Sequence, residues 1–158
     1  MDIVQKRAIV ANYQVAPSVQ TVDLAIALGL KVYHVPSWPD DISGMILKSN
    51  ENGGASGYAI YVNKNHHVNR RRFTTAHEIA HFVLHESLIG DGITDDALYR
   101  SNLSSQIETQ ANSYAADILM PWHLVNAATS NGMTNIGDLA AYFEVSKSAM
   151  SIRLGVPY

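Results

Sequence analysis

Two histidines four residues apart, with a glutamate directly after the first, stand inside the chain's most regular helical pattern: His77-Glu78-Ile79-Ala80-His81. Thr75, Ala76, Ile79, Ala80, Val83 and Leu84 recur at helical spacing, which predicts a helix with a buried face. Residues i and i+4 lie one turn apart on one side of such a helix, so His77 and His81 are placed to share one metal ion. Three polar side chains framed by apolar neighbours are costly to bury unless something engages them. Glu78, turned about a third of a turn from His77, can take a proton from water without joining the ligands. The chain has no cysteine, so thiolate ligation is excluded and the donors must be His, Asp or Glu. Zn2+ suits that donor set and hydrolytic chemistry. Two histidines and one carboxylate also describe a non-haem iron site, but Glu78 would have no task there.

Two histidines make half a tetrahedral site, and helix geometry prunes the candidates for a third ligand. His85 lies about 12 Å along the helix from His77, too far for both to bind one ion directly. A packed or supporting role is left to it, and Glu86 fails for the same reason. Asp91, Asp95 and Asp96 form a loop cluster of the kind usually found solvated. Glu108 lies near the start of a later helix whose apolar face must pack on the motif helix. Its spacing from Ser105 equally fits a capping box, and spacing alone leaves the two roles open. Asn112, one turn on, is placed to bond the free ring nitrogen of a liganding histidine and fix its tautomer.

Around the motif the pattern predicts an α+β fold. Helices are expected over 1–12 and from Pro17-Ser18 to Gly29, then short strands over 31–35, 43–49 and 58–62. Asn50-Glu51-Asn52-Gly53-Gly54 is a strong turn signal joining the last two as a hairpin. The expectation is a small three-stranded antiparallel sheet packed on a mainly helical, zincin-like core. If strand 58–62 lies at the sheet edge, its free backbone groups can pair with an extended substrate. After a loop to about Asn102, a helix ends at Pro121, and a shorter one reaches Asn131-Gly132. Ile136, Leu139, Ala140 and Phe143, then Val145, Ala149, Ile152 and Leu154 with Ser146 as N-cap, read as a helix-turn-helix-like pair. This divides the 158 residues into 1–132 and 133–158, or leaves them as one unit.

Two blocks carry a family resemblance. Residues 70–85, RRRFTTAHEIAHFVLH, and residues 108–121, ETQANSYAADILMP, resemble the ImmA/IrrE family of metallopeptidases in motif and spacing, and residues 145–154 are similar to its closing block. The resemblance covers nearly the whole chain. It implies zinc held by His77, His81 and Glu108, with Glu78 catalytic. It also implies a zinc endopeptidase that cleaves or inactivates a helix-turn-helix repressor of a mobile element, phage or stress regulon. The other reading it allows is a non-catalytic antirepressor or toxin-antitoxin component that keeps the zinc fold and acts by binding its partner. The C-terminal sensor domain of longer members is not matched.

A net charge of -3 and a pI near 6.1 give no footprint for a phosphate backbone. Lys147 and Arg153 are the only basic residues of the tail, so packing or partner docking is expected there rather than DNA binding. No run approaches membrane-spanning length, and the short apolar run 8–11 is broken before it resembles a signal peptide, so no membrane association and a cytoplasmic location are expected. Arg70, Arg71 and Arg72 fit either a solvated turn or a grip on a substrate carboxylate or nucleic acid. His66 and His67 are expected in an exposed loop, and Trp38 and Trp122 in core or groove positions. Tyr58, Tyr61, Tyr99, Tyr114 and His123 are conceivable donors to a tetrahedral oxyanion.

Overall fold

The computed structural model describes residues 1–90, 93–94 and 102–157. Its sheet is built around β3 (Tyr58–Asn63), which is buried at every position except Tyr61. A strand apolar on both faces must be covered on both and paired on both edges. β1 (Leu30–Val35) pairs with it in parallel, from Leu30 opposite Tyr58 to Val35 opposite Asn63. β2 (Gly44–Lys48) pairs antiparallel on the other side, from Gly44 opposite Val62 to Lys48 opposite Tyr58. The two-residue β4 (Ile93–Thr94) adds antiparallel to β2, giving the order β1-β3-β2-β4. The α+β class holds, but the sheet is mixed and four-stranded rather than three-stranded and antiparallel. The edge placement of β3 is overturned as well: its backbone groups are consumed by β1 and β2, so it cannot receive a substrate strand.

Helices cover the sheet and supply most of the core. α1 spans Ile3–Asn12 and opens with a capping box between Asp2 and Gln5. α2 is shorter than its pattern predicts, Thr21–Ala27, and ends where Gly29 takes φ +85. That turn is closed by Ser56, whose N–H and Oγ both donate to the Gly29 carbonyl. α3 (Val68–His85) is capped by the His67 ring, which accepts from Asn69 N–H, and it buries an unbroken run from Thr74 to Val83. α4 (Asn102–Leu119) stops before Pro121, and α5 (Trp122–Ser130) follows directly. Because α4 starts at Asn102, Ser105 lies inside it, where its carbonyl accepts from Thr109 Oγ1 at 2.8 Å. Ser105 is no N-cap, and the capping-box role for Glu108 falls away. α6 (Ile136–Phe143) and α7 (Lys147–Leu154) form the expected pair, with Ser146 accepting from Ala149 N–H. They are tied to the rest of the chain by Asn69 and Arg72, which donate to the carbonyls of Val145 and Glu144, and by Arg153, which donates to that of Met120. No helix among the described residues is long and apolar enough to cross a membrane.

One lysine joins the ends of the fold. Lys6 on α1 is 2% exposed, and its ammonium donates to the Phe82 carbonyl at 2.9 Å and to Glu86 at 2.8 Å. It also lies 4.1 Å from the centre of the Phe82 ring. A buried ammonium is tolerated only where donors find partners, and here two oxygens and an aromatic face supply them. The C-terminal end of α3 is thereby held against α1. Lys6→Ala removes these contacts and leaves the half-exposed Glu86 to water, so a loss of about 1–2 kcal/mol is expected in urea unfolding. Unchanged stability would show that the contact is neutral.

Candidate metal centre

The packing of α4 across α3 brings Glu108 over the two motif histidines. His77 Nε2 lies 3.0 Å from Glu108 Oε2, His81 Nε2 lies 3.0 Å from Glu108 Oε1, and the two ring nitrogens are 3.1 Å apart. His77 and Glu108 are each 7% exposed and His81 is fully buried. Ligands about 2.0–2.1 Å from a tetrahedral ion are about 3.3 Å apart, so these separations fit one ion bound by all three. Among the described residues, this is the group of His, Asp and Glu side chains arranged to hold one.

A second tier fixes which ring nitrogen faces inward. With both Nε2 atoms turned to the centre, the proton of each neutral ring sits on Nδ1. His77 Nδ1 then donates to Asn112 Oδ1 at 2.8 Å, as the spacing of Asn112 predicts. His81 Nδ1 donates to His85 Nδ1 at 3.1 Å, which leaves the His85 proton on Nε2, donating to Gln110 Oε1 at 2.8 Å. His85 is therefore outside any ligand shell, as helix geometry requires, yet it orients a residue within it. Gln110 was not singled out by the sequence, because nothing local distinguishes it from an exposed helical glutamine. The inward face now presents two lone pairs and a carboxylate, which repel one another unless a cation lies between them. A proton on those inward nitrogens plays that part when no metal does: burial pushes the Glu108 carboxyl up, but hydrogen bonds and charge from His77 and His81 then outweigh it and hold the pKa to about 2. Burial lowers His81 below its ordinary value, with the neighbouring His77 and His85 acting in the same direction against Glu108. An ionised Glu108 and a neutral His81 are the forms that bind a metal.

Glu78 is fully buried beneath the start of β2. A Cβ on Gly44 would lie 2.5 Å from Thr74 Cγ2, 2.9 Å from the Tyr61 carbonyl and 3.5 Å from Glu78 Oε1. Only glycine lets the strand pass this close to Thr74 and the Tyr61 carbonyl, with the Glu78 carboxylate at ordinary contact distance beyond them. Gly44 was missed by the sequence reading, although a glycine opening the apolar run 45–47 was the available signal.

The remaining candidates fall elsewhere. His66 is buried, against expectation, with Nε2 at 2.9 Å from the Asp40 carbonyl, while exposed His67 caps α3. Asn63 shares that task by donating to the carbonyls of Pro39 and Ile42, so the loop entering β2 is held from below. Tyr58 packs on Phe82, Tyr61 stacks on Tyr33, Arg7 lies over Tyr114, and His123 bonds the Gln14 carbonyl. None of these contacts involves the histidine cluster. Tyr99 and the acidic group Asp91, Asp95 and Asp96 lie outside the described residues. Trp122 is half-exposed beneath the Arg153 guanidinium.

A mixed sheet under a helix carrying two histidines, with a carboxylate supplied by a crossing helix, defines the class to which the chain is to be compared. The Peptidase M78 family model, described as the IrrE N-terminal-like domain, matches residues 25–155, and the chain belongs to that family. No curated protein matches. Among solved structures, a Mycobacterium tuberculosis transcriptional regulator is similar in fold, with a TM-score of 0.64 at 16% identity over 98% of this chain. The match spans 46% of that longer protein.

Two substitutions probe the tier behind the cluster. Asn112→Ala and His85→Ala leave the three inward donors in place but free the rings to turn. Each is expected to weaken metal affinity about 10- to 100-fold, measured by competition with a chelating dye. Wild-type affinity in both would remove the orienting role. Gly44→Ala forces Thr74 and the Tyr61 carbonyl to shift, and a loss of about 1–3 kcal/mol in thermal or urea unfolding is expected.

Proposed function

We propose that this chain is a zinc-dependent endopeptidase in which His77, His81 and Glu108 hold the ion and Glu78 is the general base. The observation that carries this reading is the convergence of three buried donors whose outer sides are already fixed by Asn112 and His85. Zinc bound there would polarise a carbonyl oxygen and lower the pKa of water to roughly 7. Glu78 takes the proton from the attacking water on its carboxylate and delivers it to the departing amide nitrogen. Burial of Glu78 beneath Gly44 keeps bulk water from competing for that proton.

The geometry of β2 supports a substrate held as an extended strand. The bond from Asn63 N–H to the Ser43 carbonyl sets the alternation along β2, so Gly44 turns its own N–H and C=O away from β3. The described pairs with β4 stop at Met45. An extended peptide laid along β2 at Gly44 would bring a scissile bond over Glu78. Family membership and the likeness to a transcriptional regulator support a helix-turn-helix repressor as the protein cut, in a segment able to become extended. Arg153 is committed to Asp117 at 2.9 Å and to the Met120 carbonyl, which favours packing over DNA contact for the C-terminal pair.

Two variants and one digestion test this. Glu108→Ala is expected to lose stoichiometric zinc, and Glu78→Gln to keep it while hydrolysis falls at least ~10³-fold. The digestion pairs the zinc-loaded protein with the repressor encoded nearest its gene, followed by mass spectrometry. Fragments from wild type but not from Glu78→Gln are expected. A stable complex without fragments would instead establish a binding antirepressor.

A further inference from the structure

Beside the metal centre, α3, α4 and α7 enclose an open groove of about 920 Å³. Its apolar lining includes Phe73, Ala149 and Ile152, and Ile152 is 78% exposed. Asn112, which holds His77, lines the same groove, so the groove borders the centre. Its charged lining is uniform in sign. Acids outnumber Lys and Arg by 14 to 11 in the chain, yet among the described residues lining the groove the charged ones are Arg70 and Arg153 and none is a carboxylate.

The two arginines are not equivalent. Arg153 is already paired with Asp117 and stacked on Trp122. Arg70 is exposed and its hydrogen bond goes to Ser43 Oγ at 3.1 Å, leaving it without an acidic partner among the described residues. Ser43 directly precedes Gly44, so Arg70 stands where the groove meets the strand running over Glu78. A guanidinium at that junction presents several donors to a planar carboxylate, and an apolar floor beyond it receives a large aliphatic or aromatic side chain.

We infer that this groove takes the part of a peptide substrate next to the cut bond, with Arg70 selecting an acidic side chain and the floor at Phe73 and Ile152 taking a bulky apolar one. This rests on the peptidase reading of the centre and adds a substrate class to it: acidic segments carrying a large apolar residue. The chain's net negative charge disfavours such segments elsewhere, which makes a groove lined by cations and no carboxylate a favoured place of encounter.

The test uses zinc-loaded Glu78→Gln protein, so that binding is read without cleavage. Three fluorescein-labelled 14-residue peptides, identical except for Leu with two Glu, Leu with two Lys, or Ser with two Glu, are titrated by anisotropy at low salt. The Leu/Glu peptide is expected to bind about tenfold more tightly than either other. Adding Arg70→Glu should reverse the Glu-over-Lys preference, and adding Ile152→Asp should remove the advantage of Leu over Ser. Both side chains are exposed, so neither change threatens the fold. Equal binding of all three peptides, no binding of any, or a preference unmoved by Arg70→Glu overturns the inference. Digestion of the same peptides by the wild-type protein separates the two claims: selective binding without hydrolysis would retain the groove and reject the peptidase reading.

Discussion

The structure is organised around a repulsion placed deliberately in its core. Two imidazole lone pairs and a carboxylate face one another at about 3 Å in a region where water cannot soften the conflict. An apolar core of the same volume would be cheaper, and the conflict is relieved by a proton on the inward nitrogens or by a metal ion at the centre. Everything nearby serves to keep the three groups from relaxing apart. Asn112 and Gln110 sit on the helix that supplies Glu108, so α4 contributes a donor and the supports of both histidines at once. The packing of α4 on α3 is therefore the contact on which the centre depends.

Support for α3 comes from both of its ends. Lys6 ties the last turns to α1, and Arg72 near the start reaches Glu144, the first of three residues between α6 and α7. Glu144 holds a left-handed conformation at φ 53, which glycine or asparagine would adopt more readily. Its carbonyl accepts from Arg72 and its carboxylate from Ser18, contacts that an ordinary capping glycine would supply only in part. The C-terminal pair thus acts as a brace on the metal helix, and its helix-turn-helix look reflects a compact way of packing two short helices.

What the sequence made legible follows the range of the interactions concerned. His77, Glu78 and His81 are local, and one helical turn relates them, so their grouping could be read directly. Asn112 could be placed because it is one turn from Glu108 on a face already argued to meet α3. Glu108 stayed ambiguous because the start of α4 was misplaced by a few residues, which made Ser105 look like a cap. The sheet order was not legible by the route taken. Asn50 to Gly54 specifies the β2–β3 hairpin, but whether β1 joins beside β2 or beside β3 is decided at long range. The run Tyr58-Ala59-Ile60-Tyr61-Val62 carried the missing signal, since an uninterrupted apolar run marks a strand buried on both faces rather than an edge.

Placing β3 in the interior changes what surrounds Glu78. With β1 and β2 on either side, β3 serves as the support beneath α3, and β2 passes over Glu78 at Gly44. Asn63 and His66 make this a geometric consequence of the centre's own foundation, because they hold the carbonyls of Pro39, Asp40 and Ile42 just before β2 begins. The side chain of Asn63 is fully buried, and it also accepts from Asn65 N–H, so it links β3, the turn into α3 and the loop into β2. Gly44 then passes over Glu78 at a height set from below by β3 and from the side by Thr74. Glu78, the strand above it and the groove at Arg70 are thus fixed to one another by side chains outside the His77, His81 and Glu108 cluster, and positional accuracy at the cluster depends on them as well as on its own three residues.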